Sequence, residues 1–171
     1  MPNQAGSYFA NTVTYICRHD SEGAVGIIIN RPLEISFSDL LQQIDIPASN
    51  PLQLPVLRGG PVNEDQGLVL HSSEQRFPET DELGNGLCLT FSRDVLQSIA
   101  TGQGPKRVLF ALGYAGWGPG QLEAEIQQHA WLTLGADSKV LFDTPVQERL
   151  AYAQGLTGVN LALLSGRIGH D

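Results

Sequence analysis

With 171 residues, 42% of them hydrophobic and 16% charged, the chain can bury roughly 70% of its unfolded surface in one core, which excludes a disordered or staple-dependent protein. Eighteen acidic against ten basic side chains leave a net charge of -8, and the field around such a surface repels polyanions. The cations are scattered, with Lys106 and Arg107 the only adjacent pair, so direct nucleic-acid binding is not expected.

No stretch approaches the roughly 18 continuous apolar residues of a membrane span, and the opening MPNQAGSYFAN has neither a basic nor an apolar leader segment. The expectation is a cytoplasmic protein. Cys17 and Cys88 sit inside apolar runs and are read as buried thiols that act as small hydrophobes. Their spacing does not exclude a bond between them, but nothing resembles a secreted disulfide framework.

In chain order, NTVTYIC (11–17) and GAVGIIIN (23–30) read as a hairpin of β-branched strands. SFSDLLQQI follows as a helix, with Ser36 as its cap, Asp39 in its first turn and Ile35 placed to staple onto Leu40. The proline-rich stretch 47–62 predicts an ordered loop with at most a short edge strand around LPVL before an RGGP turn. GLVLHS (67–72) is a strand, SEQRFPETDELGNG a long connection and GLCLTF a strand. Ser92 caps a helix that runs through Ala100, with Phe91 as staple and Gly102 as its left-handed terminus.

GPKRVLFALGY predicts a strand buried on both faces. It leads into a loop holding Gly113, Gly116, Gly118 and Gly120, then an amphipathic helix from about Pro119 to Leu132. A short strand KVLFD precedes a helix with Thr144 as cap and Pro145 at its first position. VNLALLS is a terminal strand or a continuation of that helix, and GRIGHD is a tail. The pattern predicts one α+β domain over residues 1–171, with a mixed sheet and about four helices; a doubly wound, three-layer α/β arrangement is the alternative.

Two readings of the glycine loop stand open. Backbone N–H groups between a strand and a helix start can bind an anion, with Gly113, Tyr114, Gly116, Trp117 and Gly118 at the site and Arg31 or Arg58 assisting. The loop nevertheless lacks the Lys-Ser/Thr pair of a P-loop, departs from G-x-G-x-x-G, and loses a donor at Pro119. A packing turn, in which glycines let Tyr114 and Trp117 approach neighbouring backbone, is the other reading.

None of His19, His71, His129 and His170 shows a metal-binding spacing, and Cys17 with His19 is far short of a zinc site. His71 beside Ser72 and Ser73 lacks a nucleophile elbow, so these residues are read as core or surface groups. Glu123 and Glu125 lie two apart on a helix and do not form a carboxylate pair. No catalytic residue, metal or cofactor is assigned.

The stretches VTYICRHDSEGAVGIIINRPL, LRGGPVNEDQGLVLH, LTFSRDVLQSIATGQGP and LGYAGWGPGQLEAEI resemble, in order and spacing, the AlgH/YqgE family of small bacterial proteins. The resemblance spans nearly the whole chain. It implies an α/β protein with several coiled sheets and a transcriptional-regulator label, and it supplies no catalytic or ligand residues. It also implies a further apolar segment ahead of the MP that opens this sequence; either the start lies upstream or this member lacks that strand, and the second case predicts an exposed edge or an altered first sheet. The acidic charge and the lack of a helix-turn-helix favour a regulator that acts through an unknown protein partner over one that binds DNA. The alternative is a small-anion or nucleotide-binding domain using the loop from Gly113 to Gly120.

Overall fold

The computed structural model describes residues 8–49 and 53–158. Seven strands form one curved sheet: β1 (Thr14–Asp20), β2 (Gly23–Ile28), β3 (Val56–Arg58), β4 (Val62–Ser72), β5 (Thr80–Gly84), β6 (Leu87–Thr90) and β7 (Val108–Trp117). Four α-helices are interleaved: α1 (Phe37–Gln43), α2 (Arg93–Ala100), α3 (Gln121–Gln127) and α4 (Arg149–Thr157). The fold is α+β. The expected hairpin is β1 and β2, and Ser36 caps α1 by accepting the Asp39 amide at 3.0 Å.

The sheet is organised around β7, whose ten residues carry no charge. One side pairs antiparallel with β4; the other pairs parallel with β3 along Phe110–Leu112, then antiparallel with β2 along Ala115–Trp117. The strand changes partner at Gly113, which has φ +74. There the RGGP turn crosses it: a Cβ on Gly59 would lie 2.2 Å from the Gly113 carbonyl oxygen, and one on Gly60 2.1 Å from the Tyr114 carbonyl carbon. The two glycine-rich stretches are therefore halves of one backbone crossing, open only to residues without a side chain.

Period-two alternation divides the core. Leu68, Leu70, Leu109 and Ala111 face one cluster with Ile27, Leu57 and Leu89, while Val69 and Phe110 face the cluster under α1 and α2. A third, small cluster sets Ala24, Ala115 and Trp117 against Leu122 of α3. Arg149 ties α4 to the sheet: it is 7% exposed and donates from Nη1 to the Ile29 carbonyl at 2.6 Å and from Nε to the Thr144 carbonyl at 3.1 Å. Burial lowers its pKa.

Several local expectations are corrected. The stretch Gly113–Trp117 is strand, not loop, because its glycines serve close backbone approach within a ladder. The connection after Ser72 contains β5, a polar edge strand whose exposed Asp81 and Glu82 hide the apolar alternation of a half-buried strand. KVLFD is a π-helical turn, Lys139–Asp143, rather than a strand. Its adjacent Val140 and Leu141 are both buried in the same core cluster, which a helical turn permits, whereas a strand would send them to opposite faces. Thr144 does not cap: its hydroxyl donates to the Lys139 carbonyl, and a 3-10 turn, Val146–Glu148, precedes α4. Ser92 occupies the cap position of α2, but its hydroxyl makes no capping bond. The helix from Pro119 is shorter than expected because His129 adopts φ +58 and closes a Schellman end, with Ala130 N–H on the Glu125 carbonyl and His129 N–H on the Ile126 carbonyl. VNLALLS, GRIGHD and His170 lie outside the described residues.

Candidate functional site

Where β7 ends, Trp117 is buried and α3 lies across it. Glu125, one turn into the helix, accepts both indole N–H groups on one carboxylate oxygen: Trp117 at 2.9 Å and Trp131 at 2.8 Å. Gln121 donates to its other oxygen at 3.2 Å. The Schellman end of α3 turns the chain so that Trp131 returns to Trp117, ring centroids 5.8 Å apart and edge-on, with Phe9 packed against both.

Beyond these rings is a cavity of 360 Å³. Its walls come from β1 and the residues before it, from α3, from the extended segment 132–137, from the π-helical turn and from α4. Apolar side chains dominate, including Ile16, Ile126, Leu141 and Leu150, and Asp137 is the one charged residue in the lining among the described residues. The size is at the small end of ligand pockets. At its mouth Leu132 and Leu134 are 42% and 40% exposed. On α4, Leu150, Ala153, Gln154 and Thr157 line the cavity, while Tyr152 and Leu156, one turn apart, stay exposed.

The residues proposed from sequence fall in two places. Gly113 and Tyr114 meet the RGGP turn, and the Arg58 amide donates to the Arg31 carbonyl at 2.8 Å, so these four residues converge. Arg58 is exposed, whereas Arg31 donates to the Ala10 carbonyl at 3.0 Å and its guanidinium lies 5.1 Å from the centre of the Tyr8 ring. Gly116, Trp117 and Gly118 lie farther along, toward β2 and α3. The Gly118 amide donates to the Gln121 side chain at 3.0 Å, so this donor is engaged within the protein.

His71 and His19 each bond within the protein. His71 is fully buried in a directional chain: the Phe77 amide donates to Thr80 Oγ1, which is 2.6 Å from Thr90 Oγ1, which is 2.7 Å from His71 Nε2. His71 Nδ1 lies 2.8 Å from the Ser72 carbonyl and can only donate there, so the neutral tautomer with the proton on Nδ1 satisfies every group. Ser72 instead pairs with Glu74 and the Arg107 amide. His19 meets Glu123 at 2.7 Å, and the Glu123 carboxyl is held below the usual carboxylate range by its own backbone amide first and His19 second. A β-bulge at Cys17 breaks the β1 alternation, so Cys17 enters the core while His19 turns to α3; the two do not share a face. Among the described residues no three His, Cys, Asp or Glu side chains are grouped to hold a metal, and both cysteines are free and buried. Burial pushes the Cys17 thiol up to about 12.

Sequence reasoning missed Glu125 as the hinge of the aromatic wall, and it missed Trp131, Phe9 and Thr14. The spacing from Trp117 to Glu125 to Trp131 was the available signal, and it becomes meaningful only once the end of α3 is known.

The AlgH-like family model (DUF179) matches residues 1–162. A UPF0301 protein of Burkholderia ambifaria is 47% identical over 174 residues, covering 99% of this chain and 91% of its own length. The solution structure of the AlgH protein from Pseudomonas aeruginosa superposes with a TM-score of 0.81 at 45% identity, covering 100% of this chain and 92% of that one. A Corynebacterium diphtheriae protein shares the fold at a TM-score of 0.74 and 18% identity, over 96% of this chain and 86% of its own. With the family model matching along most of its length and relatives near half-identical throughout, the chain belongs to the AlgH-like family.

Proposed function

We propose that this is a non-catalytic binding protein of the cytoplasm that acts through a protein partner, so that any effect on transcription is indirect. The observation that supports this reading is the apolar rim: Leu132 and Leu134 at the cavity mouth, with Tyr152 and Leu156 on the adjoining helix, are the large hydrophobic side chains left exposed among the described residues. Such patches mark interaction surfaces. The net charge of -8 argues against DNA as the partner, and the buried free thiols suit a reducing compartment. The test is DNA binding by fluorescence anisotropy across salt concentrations. Weak, sequence-independent binding that vanishes at physiological salt is expected; a sequence-specific complex persisting there would sink the indirect role.

A second reading rests on the convergence of the Arg31 and Arg58 backbones beside Gly113 and Tyr114, where the exposed Arg58, with Arg31 assisting, would meet a small anion or nucleotide. Its test is thermal stability with millimolar phosphate and nucleotides. Ligands favouring the native state raise the midpoint, and Arg58→Ala should abolish the rise.

A further inference from the structure

We propose that the Trp-walled cavity is a binding site for a small, uncharged, mostly apolar molecule carrying one hydroxyl or carbonyl group. Three features of the lining select this chemistry. The first is the absence of donors on its aromatic wall: Glu125 takes both indole N–H groups, so Trp117 and Trp131 present carbon surface to an occupant.

The second is a single orphan. Among the lining hydroxyls, Thr12 donates to the Phe9 carbonyl and Thr157 to the Gln154 carbonyl, while Thr14 Oγ1 is buried with no hydrogen-bond partner. A buried hydroxyl left unpaired is costly, and a ligand hydroxyl or carbonyl at that point supplies the partner. The third is charge. Among the described residues no Lys or Arg lines the cavity, and its one acidic side chain is Asp137, so a carboxylate or phosphate headgroup would meet an acid and no cation. The occupant is therefore neutral, unlike the anion considered for Arg31 and Arg58. The volume of 360 Å³ is more than twice that of an engineered apolar cavity that holds benzene, about 150 Å³, which sets the scale at a medium-chain alcohol or a bicyclic ring.

The chain contains two tryptophans, and both line the site, so intrinsic fluorescence reports on it directly. Full-length protein is titrated with octan-1-ol, hexan-1-ol and octanoate while tryptophan emission and thermal midpoint are followed. Octan-1-ol should give a saturable emission change and a raised midpoint, and binding should weaken about fourfold per methylene removed. Octanoate should bind at least tenfold more weakly. Thr14→Val should cost the alcohol about fivefold, and Ala153→Phe, which fills the cavity from α4, should abolish binding with the circular-dichroism spectrum unchanged. The proposal is overturned by no saturable response up to the solubility limit, by octanoate binding as well as octan-1-ol, or by binding that survives Ala153→Phe. It is equally overturned if a chain ending at Gly158 responds and the full chain does not, since residues 159–171 would then be the occupant. None of these outcomes bears on the exposed rim, whose failure is read from partner and DNA binding.

Discussion

Replacing Glu125 by alanine removes the one acceptor shared by two indole donors. Trp117 is 6% exposed, so its N–H, now 2.9 Å from nothing, suffers the penalty of a buried unpaired donor, about 1–3 kcal/mol. Trp131 is half-buried and can recruit water, so its share is smaller, on the order of 1 kcal/mol. The sum is about 2–4 kcal/mol, or roughly a 4–16 °C fall in midpoint for a chain of this size. Glu125→Gln keeps one carbonyl acceptor and should cost less than half as much. Urea denaturation followed by circular dichroism measures all three proteins. A Glu125→Ala variant within about 0.5 kcal/mol of the parent would show that the carboxylate does not hold the aromatic wall, and the reasoning would fail.

Three further outcomes follow from the packing. Thr90→Val removes the donor to buried His71 Nε2 and should cost about 1–3 kcal/mol in urea denaturation, with Thr90→Ser recovering most of it; equal losses for the two variants would refute the chain of bonds. Gly60→Ala drives a Cβ into the backbone of Tyr114 and should cost at least about 3 kcal/mol, whereas Gly120→Ala, at φ +72 with nothing within 4 Å, should cost only about 1–2 kcal/mol; comparable midpoints would contradict the crossing. The Cys17 thiol titrates near 12 when folded against 9.0 when unfolded, so its contribution is fully present below pH 9 and is lost as pH rises from 9 toward 12. The stability difference between wild type and Cys17→Ala should be flat from pH 6 to 8 and shrink above pH 9; a flat difference to pH 10.5 would contradict the burial.

Much of the fold was legible because local patterns agreed with tertiary needs. The hairpin of NTVTYIC and GAVGIIIN, the cap at Ser36 and the left-handed Gly102 all appear, although β1 runs on through Asp20 into residues that read as its turn. What failed shares one cause: long-range contact decided between local options. GYAGW reads as a loop by composition, yet its glycines answer the glycines of RGGP some fifty residues earlier, a pairing no window can see. KVLFD has strand propensity, but a gap in the core that takes two adjacent side chains made it a helical turn. The bulge at Cys17 that separates it from His19 is likewise invisible in the chain. Of the proposed site residues, Trp117 reaches the cavity, through its contact with α3, while Gly113, Tyr114, Arg31 and Arg58 gather at the crossing. The cavity itself is assembled from segments far apart in the chain, so no local motif announces it.

The most direct measurement is the pair of indole N–H resonances of Trp117 and Trp131 in a ¹⁵N correlation spectrum during titration with octan-1-ol. A cavity walled by two tryptophans on one carboxylate predicts that both resonances are protected from solvent exchange and move together, saturably, as the alcohol binds. Two rapidly exchanging resonances that stay in place while other signals shift would contradict it.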